Sequence, residues 1–340
     1  MRISKLLGLL LILAVALPVA GVFAQDEEVE AIELPAVDPL AVTGDIITAG
    51  SSTVFPLTSA MAERFESDGY TGTITIDSIG TGAGFERFCV SAETDISNAS
   101  RPIDEEEIAA CQANGREPIE FRVGTDALAI AVSVENDFVE DLSIEQLGAI
   151  FAGEYATWDQ VDPSFPAEAI ALFSPGTDSG TYDYFVEAVM EPYAEAQGVT
   201  EDEIGDAANE FILGVEGTQF SENDNVLVEG VAGSPYAIGY FGYAYYEENA
   251  DVIRLSLVNS IEATEETAEN GEYPLARPLF IYSDATIMTE KPQVAEFINF
   301  YLTYVNEEII AAGYFPASVD ALNQAKMGWM AGMGMELPEG

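Results

Sequence analysis

The chain contains no histidine, only two cysteines, and 11 basic residues against 60 acidic ones. Each shortage removes a class of chemistry. Without an imidazole there is no Ser-His-Asp triad, no Cys-His pair and no His-ligated metal. A formal net charge of -49 repels nucleic acid and anionic membranes, which excludes both as partners. So acidic a surface is read as a solubilising one. Beyond the N-terminus no apolar run is long enough to span a bilayer. No repeat of fixed period is present, which excludes solenoids and propellers. Because arginines are scarce, any arginine in a functional-looking turn carries weight.

What is present begins with an export signal. Arg2 and Lys5 precede an apolar run from Leu6 to Val19, and Val22-Phe23-Ala24 offers small residues for cleavage. The mature chain is expected to start near Gln25, in a periplasm or outside the cell. The rival reading, a membrane anchor, suits neither the shortness of the run nor the Asp26, Glu27 and Glu28 that follow it. No cysteine near the cleavage site offers a lipid attachment point. Cys89 and Cys111 both lie downstream of the signal, where an oxidising compartment favours a disulfide; two buried thiols are the alternative. Residues 25–43 are acidic, contain proline and lack periodicity, so they read as a flexible linker. The remainder, 48% hydrophobic over the whole chain, is enough for two lobes.

Short β-branched runs alternate with helical spacing, which indicates an α/β fold. Asp45 to Ala49 and Thr71 to Ser78 read as strands, with a helix from Pro56 to Phe65 between them. Phe121 to Val134, interrupted by Gly124, reads as two strands joined at a hinge. Ser143 and Gln146 form a capping box. Gly239 to Tyr243 and Pro278 to Tyr282 are further strands, and Val294 to Val305 is a helix.

Three turns share one logic. Gly50-Ser51-Ser52-Thr53-Val54, Gly80-Thr81-Gly82-Ala83-Gly84 and Gly176-Thr177-Asp178-Ser179-Gly180-Thr181 each follow a strand and open a helix. Unpaired N–H groups at a helix N-terminus, hydroxyl donors and glycines that admit close approach make a site for an oxyanion. Singly, each turn is explained by helix capping; together they ask for a ligand. Asn98-Ala99-Ser100-Arg101-Pro102 adds a cation in a fourth short turn, unless Arg101 is a surface charge paired with Glu105. The glycines at 80, 82 and 84 lack dinucleotide spacing, and Asn98-Ala99-Ser100 is discounted as a glycosylation sequon.

In this order, GSSTVFP (50–56), SIGTGAGFERFC (78–89), TDISNASRPI (94–103) and PGTDSGTYDYF (175–185) resemble the phosphate-binding proteins of ABC transporters, the PstS family. LSIEQLGAIFAGEYATWDQV (142–161) and the closing AAGYFPA (311–317) extend the resemblance over nearly all of the mature chain. It implies a two-lobed periplasmic-binding-protein fold of type II, with two crossovers between lobes and the ligand in the interlobe cleft. Lobe I would comprise residues 44–123 and 279–340, and lobe II residues 124–278. By motif, the phosphate ligands would be Ser52, Thr53, Val54, Thr81, Ser100, Arg101, Ser179, Gly180 and Thr181. The partners would be inorganic phosphate and a membrane permease, and the protein a monomer. Some family members have an Asp in the turn of Ser100 and Arg101, and an Arg just before the Ser-Gly-Thr where this chain has Ser174-Pro175-Gly176. The acceptor for the phosphate proton, which sulfate lacks, is then expected in Asp178, Asp183 or a backbone carbonyl, with the two aspartates preferred. Another oxyanion (sulfate, molybdate or arsenate) is the nearest alternative, a secreted hydrolase or a structural surface protein the more distant ones.

Overall fold

Two long strands run through the middle of the molecule and belong to both halves of it. The computed structural model describes residues 30–338; the expected export signal lies outside these. Among the described residues the strands are β1 (Ile46–Gly50), β2 (Ile74–Ser78), β3 (Ile96–Ala99), β4 (Pro118–Ser133), β5 (Asp141–Leu142) and β6 (Ala171–Pro175). There follow β7 (Gln219–Ser221), β8 (Ala237–Gly242), β9 (Ile253–Leu255), β10 (Leu257–Val258) and β11 (Ala276–Asp284). The main sheet runs β2-β1-β3-β11-β4-β8-β6-β7, with β9 beside β4. Strands β1, β2 and β3 pair in parallel, as do β6, β7 and β8, while β11 is antiparallel to both β3 and β4.

The run expected to form two strands at a bend is one continuous strand, β4. Its alternation explains why. Leu128, Ile130 and Val132 enter one core while Ala129 and Ala131 enter another on the opposite face, as the two-residue period of a strand requires. The bend appears instead as a slip in pairing: Leu279 faces Gly124 but Phe280 faces Arg122, so Val123 is passed over. One extra residue of this kind twists a strand pair locally without breaking it.

The slip lies where the two lobes meet. Phe121, Val123, Leu279 and Ile281 pack with Leu57, Met61, Phe65, Phe297 and Trp329 in the first lobe. Leu128, Ile130 and Val132 pack with Trp158, Phe185, Tyr240 and Leu275 in the second. A clamp holds the junction. Glu269 accepts from Arg122 at 2.8 Å, from the Thr125 hydroxyl, and from the Ser318 backbone N–H at 2.8 Å. Thr125 and Phe315 also exchange backbone hydrogen bonds of 2.9 and 2.8 Å, so the C-terminal Tyr314–Ala317 segment returns to the crossover.

Residues 31–43, expected to belong to a flexible linker, lie instead along the helices of the first lobe. Leu34, Val37 and Val42 pack on its core, and Asn299 and Lys326 donate to the carbonyls of Pro35 and Ile32. Acidic composition hid an apolar residue every few positions. Ser143 and Gln146 form the expected capping box of helix Ile144–Phe151. Cys89 and Cys111 are joined by a disulfide within a small core of Phe85, Phe88, Phe280 and Tyr282. No described helix is long and apolar enough to cross a membrane.

Candidate functional site

The first turn is shaped by a glycine. Gly50 ends β1 at φ +141°, and a Cβ there would lie 2.1 Å from the Asn98 carbonyl oxygen, which receives the Ser51 N–H at 2.9 Å. Only a residue without a side chain lets the turn pass so near β3. The chain then rises through Ser52, Thr53 and Val54 into helix Phe55–Ser67. The second turn packs on the first: a Cβ on Gly84 would lie 2.5 Å from the Gly50 Cα. Its Thr81 hydroxyl meets the Ser100 hydroxyl at 3.2 Å and accepts the Ser100 N–H at 3.2 Å. Thr53, Thr81 and Ser100 thus come from three separate strand ends of one lobe.

The turn of Ser179, Gly180 and Thr181 arrives from the other lobe. Ser179 caps helix Gly180–Phe185 by accepting the Thr181 N–H. A Cβ on Gly180 would lie 2.9 Å from the Thr53 Cα, so here the two lobes touch through backbone. Beside this contact the Ser52 hydroxyl donates to Asp183 at 2.7 Å. Asp178 is exposed on the turn.

The two turns converge on a residue that local pattern did not single out. Arg277, on β11, is buried; it donates to the Thr53 hydroxyl and, at 3.4 Å, to the Gly180 carbonyl. Its Nε faces Asp126 at 3.3 Å, and its outer Nη1 meets Glu187 at 2.7 Å. The guanidinium also lies 3.7 Å from the centre of the Tyr184 ring, a stacked cation–π contact. Arg277 and Asp126 are directly opposed in the β11–β4 ladder. Burial pushes the Asp126 carboxyl above its ordinary value, and Arg277 pulls it back. A buried arginine backed by Asp126, with Nη2 at the meeting of the two lobes and Nη1 on the more exposed Glu187, places a cation where an anion can be held.

Arg101 is bound to a carboxylate of its own lobe. Both of its terminal nitrogens donate to Glu107 at 2.8 Å, and Glu107 closes the capping box of helix Glu105–Ala113. The pairing with Glu105 is not the one formed. Arg101 still lines a cavity of about 310 Å³ together with Thr81, Ser100, Tyr184, Glu187, Ala188 and Arg277. Ser52, Thr53, Ser179, Gly180 and Thr181 gather at the adjoining lobe contact, and Val54 is buried behind it. Tyr314, from the closing motif, donates to the Thr53 carbonyl at 2.6 Å and fixes that turn from below.

Sequence reasoning missed Arg277, Asp126, Tyr184 and Glu187. A signal existed for the first two: each is a charge beside an apolar strand run, a position that asks for a partner when buried. Among the described residues no cluster of His, Cys, Asp or Glu suited to a metal ion occurs.

Known proteins resemble this chain over most of its length. Residues 36–304 match the model of the PBP superfamily domain. The protein SphX of Synechocystis sp. is 36% identical over 308 residues, covering 88% of this chain and 86% of SphX. The phosphate-binding protein PstS of Staphylococcus saprophyticus is 35% identical over 276 residues, 80% of each chain. The crystal structure of "a possible phosphate binding protein" from Planctomyces limnophilus superposes with a TM-score of 0.74 at 34% identity, over 86% of this chain and 99% of that one.

Proposed function

The chain belongs to the PBP superfamily and, within it, to the family of the phosphate-binding protein PstS and of SphX, and from that membership we propose that it captures inorganic phosphate in the interlobe cleft and delivers it to an ABC transporter permease. The observation that carries the reading is the convergence of Thr53 and Gly180, from opposite lobes, on the buried Arg277. The lobe boundaries we assign are residues 44–123 with 279–340, and 124–278. They agree with the pairing slip at Val123 and Leu279.

In this reading Thr53 and Val54 bind from the first turn, with Ser52 at its edge. Thr81 and Ser100 bind from the second and third turns, and Ser179, Gly180 and Thr181 from lobe II. Arg277 carries the positive charge, with Arg101 at the rim. Hydroxyls, backbone N–H groups and one guanidinium suffice for a dianion in a water-poor cleft. Asp183 is the better placed acceptor for the phosphate proton, since it sits at the lobe contact while Asp178 faces solvent. An Asp183→Asn protein whose preference for phosphate over sulfate is unchanged removes Asp183 from that role. The protein acts outside the cytoplasm as a monomer, holds no cofactor and catalyses no reaction. Hinge closure on the ligand presents the rims of both lobes to the permease.

Calorimetric titration with phosphate, followed by sulfate as competitor, tests the reading. One-to-one binding that excess sulfate does not displace is expected. Displacement by sulfate would change the ligand, and no heat with either anion would refute the function.

A further inference from the structure

Arg277 is met by two carboxylates, and they are not equivalent. Asp126 has a side chain 2% exposed and is fixed opposite Arg277 in the strand ladder; Glu187 has one 58% exposed and touches only the outer Nη1, at 2.7 Å. One guanidinium is already neutralised by Asp126, so Glu187 brings the group of three to a net negative charge. Glu187 and Arg277 both line the cavity that also contains Thr81 and Ser100. An anion approaching the guanidinium from that cavity therefore meets a carboxylate on the nitrogen it needs.

We propose that Glu187 is an internal competitor: its carboxylate occupies Arg277 Nη1 in place of the ligand anion, must swing away before the anion binds, and so lowers the affinity of the site. The inference rests on the reading of the cleft as an oxyanion site. Displacement is feasible because Glu187 lies on the solvent side of the contact, where a charge leaving its partner regains its hydration. A partly exposed ion pair is weak enough to be exchanged, whereas separating the buried Asp126 from Arg277 would strand a charge in the interior. Only the fraction of molecules with Glu187 turned outward can accept an anion, and apparent affinity falls by that fraction. Because the same displacement precedes binding of any oxyanion, the residue lowers all such affinities by one factor and leaves their ratio alone.

The test is calorimetric and stopped-flow titration of the full-length mature protein and its Glu187→Gln and Glu187→Ala variants with phosphate, sulfate and molybdate at fixed ionic strength. Both variants are expected to bind every anion that the unaltered protein binds, roughly five- to tenfold more tightly, with faster association and unchanged dissociation. Unchanged affinity would overturn the proposal. So would uniform loss, which would make Glu187 a positioning residue for Arg277, or loss confined to phosphate, which would make it the proton acceptor. If phosphate gives no heat but sulfate or molybdate does, the phosphate reading fails while the factor between variant and unaltered protein still decides the role of Glu187. Heat from none of the three anions in any of the proteins would overturn both. The exposure of Glu187 keeps the variants foldable, and their unfolding midpoints check this.

Discussion

Gly180 and Thr53 bring the backbones of two lobes close enough that a single methyl group decides whether they meet. Gly180→Ala is therefore expected to hold the lobes apart. Forcing a methyl into such a contact costs about 1–3 kcal/mol, and phosphate affinity should fall by roughly five- to hundredfold, read by calorimetry, while the cores and the unfolding midpoint change little. The hydroxyls proposed as ligands stood out in the sequence because each sits in a turn whose Gly, Ser and Thr pattern is local and physical. The cation was not. Arg277 and Asp126 are 151 residues apart, and nothing in either neighbourhood says that β11 will lie against β4. Their legible trait was cost: a charge amid apolar strand residues needs a partner. Arg101, by contrast, had the right neighbourhood and found Glu107 six residues away.

Among the elements, β4 carries the most information. Its composition announced a buried strand, and Gly124 marked the crossover, but the continuity of the strand depends on β11 pairing along its whole first half. Periodicity alone does not reveal a partner. Residues 31–43 show the converse, since acidic composition suggested a linker while Leu34, Val37 and Val42 supplied enough apolar surface to dock it. The Cys89–Cys111 bridge followed from compartment and count, and it closes a 22-residue separation. Replacing both cysteines by alanine should lower the unfolding free energy by about 2–4 kcal/mol, measured as a shift in the denaturant midpoint. An unshifted midpoint would mean that the small core of Phe85, Phe88 and Tyr282 holds this segment without the bridge.

The whole molecule binds an anion in spite of its own charge. At a formal net of -49 the long-range field opposes the ligand, while the donors act only at contact. Salt screens the former over a Debye length of about 10 Å at 0.1 M and hardly touches the buried pair of Arg277 and Asp126. Phosphate association should therefore speed up between low and moderate salt in stopped-flow measurements; a rate that falls steeply would contradict this. Alkaline stability is set by tyrosines. Burial pushes Tyr182 and Tyr243 up to about 12, above the value of about 10 for an unfolded chain. The folded state thus binds these protons more tightly. The stability they contribute is complete below pH about 10 and is lost as the pH rises towards 12. Thermal melts by circular dichroism should show a midpoint that drops across that window.

The most direct test of capture between the lobes is a calorimetric phosphate titration of Arg277→Gln beside Arg101→Gln, with circular dichroism confirming that each is folded. Removing the buried guanidinium should cost about 2–5 kcal/mol, weakening phosphate by roughly thirtyfold to several thousandfold, while Arg101→Gln changes affinity far less. A folded Arg277→Gln that binds phosphate as well as the unaltered protein would contradict the account, because the anion would then not be held by the guanidinium on which the two lobes converge.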